Sequence, residues 1–155
     1  METKSYTKRV FLDSTYKINN IIENICQEYN ISYYYGTISV SIEHVLDLIT
    51  SFYGNARGKE EIVFCFEQCV GGVSFSIECQ DEIFSSMIFD KEKGIEDLDV
   101  DVFLISKLTD KVIVLEGGRK LELLFFVNGI EPELLLGRQE KIKEYNSNRM
   151  PQNIN

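Results

Sequence analysis

Apolar side chains recur every three or four positions over residues 16–29 and again over 37–53, which is the period of an amphipathic helix. The aromatic connection 33–36 separates the two stretches, so two helices are predicted, each with one side facing a core. The apolar stripes are Ile18, Ile21, Ile22, Ile25 and Tyr29 in the first helix and Val45, Leu48, Ile49 and Phe52 in the second. The candidate caps are Asp13, Ser14 or Thr15 for the first helix and Thr37 or Ser39 for the second.

A period of two predicts five β-strands. The alternating stretches are residues 5–13, 62–66, 73–79, 112–114 and 121–125. The second and third are separated by Gly71-Gly72, and the last two by Gly117-Gly118. Because glycine adopts positive φ without steric cost, each pair is predicted to form a hairpin with a tight turn.

The segment between the two hairpins has two parts, a charged loop and a short helix. Residues 81–101 are charged and weakly periodic, which predicts a long loop of the kind that often covers a binding site. Apolar residues at Val102, Ile105 and Leu108 then predict a short buried helix. The caps proposed for this helix are Asp99 or Asp101, whose charges also favour the positive end of the helix dipole.

A last helix is predicted to open at Pro132 and continue to Tyr145, followed by a disordered tail over residues 147–155. The element order is then β-α-α-β-β-loop-α-β-β-α. This order predicts an α/β (α+β) fold, a two-layer sandwich of a mixed, mainly antiparallel sheet with helices on one face. The length of 155 residues favours a single domain, placed at residues 1–146.

The overall charge narrows the classes of partner. The net charge of −9 repels a phosphate backbone and no basic stripe is present, so nucleic-acid binding is not expected. An acidic surface instead favours either simple solubility or a basic protein partner. No apolar run is long enough for a membrane span and the start of the chain has no signal-peptide core, which favours the cytoplasm.

Cysteine and histidine usage predicts no metal centre. The cysteines, which lack the paired spacing of a zinc site, are expected to be reduced core residues; they are Cys26, Cys65, Cys69 and Cys79. His44 is the one histidine, and no serine or cysteine constellation accompanies it as it would a catalytic base.

The stretch Phe103–Val112 and the hairpin after it resemble the end of the nucleotide-binding domain shared by histidine kinases and the bacterial anti-sigma-factor serine kinases. In that family a Leu-Ile-x-x-Leu-x-Asp helix is followed by a hydrophobic strand, a Gly-rich turn and a last strand. The element order extends the resemblance from about residue 6 to residue 145. The resemblance implies a histidine-kinase-like ATPase domain.

In that family the second helix carries Glu-x-x-x-Asn-Ala-x-x-His, in which the glutamate activates the attacking group and the asparagine holds magnesium. Glu43 matches the glutamate, Asp47 stands at the asparagine and Ser51 at the histidine. An aspartate is still a hard oxygen ligand, so Asp47 would hold magnesium if Mg-ATP bound. Glu43 and Asp47 also share a helix face, where like charges repel mildly unless solvent or a ligand meets them.

The glycine positions of the family's other motifs are altered. Asp81 matches the aspartate of the Asp-x-Gly motif that reads adenine, but Ile83 stands at its glycine, and Asp99 and Asp101 stand at the Gly-x-Gly. Phosphate-binding loops use glycine so that amide N–H groups can approach the ligand. Two unit charges about 4 Å apart interact by roughly 1 to 4 kcal/mol in watery to surface-like dielectric, so these aspartates would repel a triphosphate. The sequence therefore predicts a degenerate pocket without ATP.

The resemblance and the altered motifs together predict a non-catalytic regulatory protein. It would bind a sigma-factor-like or antagonist-like protein partner, with no cofactor, and the family pattern also allows a homodimer. Two alternatives stay open. One is an active ATP-dependent serine kinase with Glu43 as base, Asp47 on magnesium and Asp81 on adenine; the other is a pocket rebuilt for another small ligand.

Overall fold

The computed structural model describes residues 5–54, 60–94, 96 and 99–127. Within them, five strands form one sheet and three helices complete a two-layer α+β sandwich, so the predicted fold is confirmed. The strands are β1 (Ser5–Phe11), β2 (Glu61–Cys69), β3 (Gly72–Glu78), β4 (Lys111–Leu115) and β5 (Lys120–Phe126). The helices are α1 (Tyr16–Glu28), α2 (Tyr35–Tyr53) and α3 (Val100–Leu108).

The sheet order is β1-β2-β3-β5-β4, and every neighbouring pair in the described sheet is antiparallel. β3 is the central strand, and most of its residues are buried. The inner-facing side chains of the sheet, such as Phe64, Phe75 and Leu123, pack with the apolar stripes of the helices in one core. Phe52 was wrongly predicted to face this core, since it is 56% exposed near the end of α2. In β2 and β5 the alternation in the sequence matches the alternation in burial, so it reports which side of these strands faces the helices.

The other face of the sheet is mixed in polarity. One cross-strand row on this face runs from Thr7 through Cys65 and Ser76 to Glu122.

The cysteines were predicted to be reduced core residues, and the structure agrees on the free thiols but on only half of the positions. All four thiols are free, but Cys65 and Cys69 are only half-buried, whereas Cys26 and Cys79 are buried.

Two of the three helices start where predicted, α1 after Thr15 and α3 after Asp99, whereas α2 does not. α1 follows a 3-10 turn, and its N-cap Thr15 makes no side-chain capping bond. α2 begins at Tyr35, earlier than predicted, because the 3-10 turn Ser32–Tyr34 leads straight into it. Only α3 has a predicted side-chain N-cap, since the Asp99 carboxylate accepts a hydrogen bond from the backbone N–H of Asp101.

The connection from β3 to α3 contains turns but no helix or strand in its described residues, as predicted for the long loop. Its first part is nevertheless anchored in the core, since the ring of Phe84 is fully buried. The Phe84 N–H also donates to the carbonyl of Gly118 at 2.8 Å, which joins the loop to the second hairpin. Gly117 and Gly118 both have positive φ, as the predicted turn requires.

The predicted helix from Pro132 to Tyr145, the tail 147–155 and most of the loop after α2 lie outside the described residues. None of the helices in the described part of the chain is long and apolar enough to cross a membrane.

Candidate functional site

The middle of α2 carries the first group of predicted site residues. Glu43, Asp47 and Ser51 are spaced by four residues and are all exposed on one side of the helix. His44 lies beside them, half-buried, with 20% of its side chain accessible. α2 thus presents two acidic groups to solvent and an imidazole toward α3.

The start of α3 supplies the second group. Asp99 has the extended backbone of an N-cap, and its carboxylate binds the Asp101 N–H at 2.9 Å. The side chain of Asp101 lies in the first turn and reaches α2, where its Oδ1 is 2.7 Å from Nδ1 of His44. A protonated Nδ1 donates to this carboxylate, so the two helices are joined by a direct polar contact.

Asp47 completes a cluster with this pair. One donor atom from each of His44, Asp47 and Asp101 can be chosen so that all three lie within 4.8 Å of one another. Partial desolvation of Asp47, followed by the negative charge of Asp101, raises the pKa of the Asp47 carboxyl. His44 acts in the opposite direction, and Glu43 adds a smaller increase. The cluster therefore concentrates negative charge that its single imidazole does not balance.

Asp81 is bonded elsewhere. The phenol of Tyr53, at the end of α2, donates to Oδ2 of Asp81 at 2.8 Å. Burial is the main cause that raises the pKa of Tyr53, and this hydrogen bond adds to it because the phenol keeps the proton it donates. Ile83, two residues on, is buried with 5% of its surface accessible.

The described contacts of the predicted site residues are made at two places. Asp47 and Asp101 come together at the contact of α2 with α3, whereas Asp81 is bonded to Tyr53. Glu43 lies next to the first place, one turn from Asp47. The Asp99 carboxylate accepts a hydrogen bond from the backbone of α3, and Ile83 packs in the core.

His44 belongs to this cluster, although the sequence predicted no role for it as a catalytic base or a metal ligand. Its spacing of three residues from Asp47 on α2 was available as a signal, because side chains at i and i+3 share a helix face. Its second partner, Asp101, lies 57 residues further along the chain. Only the packing of α3 on α2 brings that carboxylate to the imidazole.

Two clefts open elsewhere on the described surface. One, of about 290 Å³, lies between the β3–α3 connection and the start of β4, beside Phe89 and Asp110. The other, of about 170 Å³, lies on the outer face of the sheet beside Cys65 and Glu122. None of the predicted site residues lines either of these two clefts. The candidate site is therefore placed at His44, Asp47 and Asp101, the α2–α3 cluster.

The fold and the site together define an α+β sandwich with a histidine–carboxylate cluster where two of its helices meet. Comparison with known proteins adds no family to that description, since no family model and no curated protein matches the chain.

Proposed function

We propose that the protein is a non-catalytic regulatory protein, built like the anti-sigma-factor serine kinases, that acts by binding another protein and does not use ATP. The proposal rests on the resemblance of Phe103–Val112 and on the element order, together with the contacts made by the residues at the family's nucleotide positions.

One observation carries the proposal. At the start of α3 the Asp101 N–H, an amide of the kind that a phosphate-binding loop directs to its ligand, already donates to Asp99. The Asp101 carboxylate in turn occupies the space toward α2, 2.7 Å from His44. A triphosphate at this position would have to displace one carboxylate from an amide and another from an imidazole, and would meet both of their charges.

The other nucleotide positions support the same conclusion. Oδ2 of Asp81 already accepts from Tyr53, so an adenine amino group would have to share the carboxylate with that phenol. The buried side chain of Ile83 fills a position where the family pattern has glycine. Mg-ATP therefore does not fit the residues present.

The partner is expected to present a basic surface. The chain carries 25 acidic and 16 basic residues, a net charge of −9. Opposite charge on a partner would speed association and help select it, and the effect would weaken with salt because surface charges are screened.

Titration of the purified chain with Mg-ATP, followed by calorimetry and by thermal melting, tests the nucleotide half of the proposal. We expect no heat of binding and no rise in melting temperature. Micromolar binding that the Asp81→Asn variant abolishes would overturn the proposal and favour the active kinase. Binding that Asp81→Asn leaves unchanged would place a nucleotide site elsewhere and would also contradict the proposal.

The protein-binding half needs a partner in purified form. A protein captured by the intact chain from its native host and identified by mass spectrometry should be purified and titrated back with and without Mg-ATP. We expect stoichiometric binding that nucleotide does not change and that weakens as salt increases. Binding that requires Mg-ATP, or phosphorylation of the partner, would contradict a non-catalytic role.

The active serine kinase is the second candidate, and one observation favours it. Glu43 and Asp47, the residues at its base and magnesium positions, are exposed on the same face of α2 and are not sequestered in the core. Phosphate transfer to the partner that Glu43→Gln abolishes would decide for this candidate.

A further inference from the structure

We propose that His44, Asp47 and Asp101 form a binding site for a divalent transition-metal cation, with Zn²⁺ as the ion that fits best, and that the ion ties the start of α3 to the middle of α2. The inference goes beyond the proposed function, because it requires neither a nucleotide nor a protein partner.

The donor atoms have the chemistry and the spacing of a metal site. One imidazole nitrogen and two carboxylate oxygens lie within 4.8 Å of one another. Zinc bonds to such atoms at about 2.0–2.2 Å, which puts neighbouring ligands about 3.3 Å apart in a tetrahedron. His44 Nδ1 and Asp101 Oδ1 are closer than that, at 2.7 Å, because a proton joins them. On binding, Nδ1 would release this proton to solvent, the two atoms would separate slightly around the ion, and a carboxylate oxygen of Asp47 would move toward it.

The fold holds these ligands on two fixed elements. His44 and Asp47 are three residues apart on α2 and share one of its faces. Asp101 is positioned from the other side by α3, whose first turn is fixed by the Asp99 cap. Sites built on helices are more precise than sites on loops, so the ligand set is largely formed before the ion arrives.

The ligand set selects the class of cation. An imidazole ligand favours zinc, cobalt, nickel or copper over magnesium and calcium, which prefer oxygen ligands alone. Two carboxylates, with Glu43 one turn away from Asp47, supply the negative charge that a dication balances. Three protein ligands at a partly accessible contact leave a coordination position for water.

The alternative is that His44 and Asp101 form only a structural hydrogen bond. Such a bond stabilises the α2–α3 contact without any ion, and it predicts no saturable metal binding. A direct titration with a metal ion distinguishes the two explanations.

The experiment uses the full chain without a polyhistidine tag, stripped of metal by a chelator. Co²⁺ is titrated while its visible absorption is recorded, and Zn²⁺ is then used to displace it. We expect one cation per chain, a spectrum without sulfur-to-cobalt charge transfer, and an increase in melting temperature when Zn²⁺ is added.

Three variants test the ligands. His44→Gln and Asp101→Asn should each weaken binding by at least about tenfold, since even outer-shell changes cost about 10–100-fold in metal affinity. Asp47→Asn changes an exposed position on α2 and should also weaken binding while the chain stays folded. The matched control is Glu23→Gln, at an exposed position on α1, which should bind as the unchanged chain does.

Circular dichroism of each metal-free variant shows whether it is folded, so loss of binding is not confused with loss of structure. The proposal is wrong if no saturable binding occurs, or if His44→Gln and Asp47→Asn bind Zn²⁺ as tightly as the control. It is also wrong if the Co²⁺ spectrum shows thiolate ligation, since that would move the ion to the free cysteines. None of these results depends on whether Mg-ATP binds.

Discussion

At the scale of single residues, two aspartates at the start of α3 make structural contacts. Asp99 holds an amide at the start of α3, and Asp101 pairs with His44. Asp47 is different, because partial burial, and after it the negative charge of Asp101, opposes its ionisation and raises its pKa. The ionised form of Asp47 is therefore disfavoured in the folded protein.

Replacing Asp47 with asparagine should stabilise the metal-free protein at neutral pH. The pKa of Asp47 is raised in the folded state, so its ionised form opposes folding above that pKa, and the penalty disappears below the unfolded value. The gain should be small, because the side chain is exposed and solvent screens it. Thermal melts in the presence of a chelator at neutral and acidic pH would show the gain and its decline as pH falls. An equal gain at both pH values would contradict a charge effect.

At the scale of elements, a side-chain cap sets where α3 begins, and two glycines allow the turn of the second hairpin. The cap of α3 depends on one side chain, Asp99, and one backbone N–H. The turn before β5 depends on Gly117 and Gly118, both at positive φ. The cap and the turn can each be tested by a single substitution.

Asp99→Ala should destabilise the protein by about 1 kcal/mol, because the capping bond to the Asp101 N–H is lost. Asp99→Ser is the matched control, since a serine hydroxyl can accept the same bond and should recover most of the loss. Urea denaturation followed by circular dichroism measures both. Equal losses in the two variants would mean that Asp99 acts through its charge and not as a cap.

Gly118→Ala should cost at least about 2 kcal/mol. The backbone there has φ of +103°, and an added Cβ would lie 2.5 Å from Cβ of Ser85. The control is Gly36→Ala in the first turn of α2, where nothing lies within 4 Å of the added atom. That change should be neutral or should stabilise by up to about 1 kcal/mol. A tolerated Gly118→Ala, measured by the same denaturation, would show that the β3–α3 connection is not held against the hairpin.

At the scale of the whole molecule, the central strand organises the core. Phe75 on β3 lies near three other rings, at centroid distances of 5.9 Å from Phe64, 5.2 Å from Phe66 and 6.1 Å from Phe125. These rings belong to β2, β3 and β5, so one aromatic group connects three strands of the sheet. Truncation of Phe75 should therefore lower the stability of the whole fold.

Phe75→Ala should therefore cost about 3–5 kcal/mol, the range for deleting a buried phenylalanine. Domains of this size are stable by about 5–15 kcal/mol, so the variant should melt far lower or be largely unfolded at room temperature. Phe126→Ala is the matched control, because that ring is 61% exposed and its loss should change stability by only about 0.5 kcal/mol. Similar melting temperatures for the two variants would contradict a core centred on β3.

The amino-acid sequence by itself determined the features that depend on near neighbours. The alternation of β2 and β3, the stripes of α1 and α2, the glycine turns and the Asp99 cap all involve residues within a few positions of one another. Their physical causes, side-chain periodicity and backbone sterics, act locally, and the α+β sandwich follows from burying the apolar faces that they create.

The tertiary structure alone decided which distant groups meet. His44 faces Asp101 across 57 residues, Tyr53 donates to Asp81 across 28, and Phe84 enters the core from a segment without periodicity. No local pattern encodes these contacts, because each depends on the angle and depth at which one element packs on another. The α2–α3 cluster is such a contact, and for that reason an unremarkable histidine in the sequence became the centre of the candidate metal site in the fold.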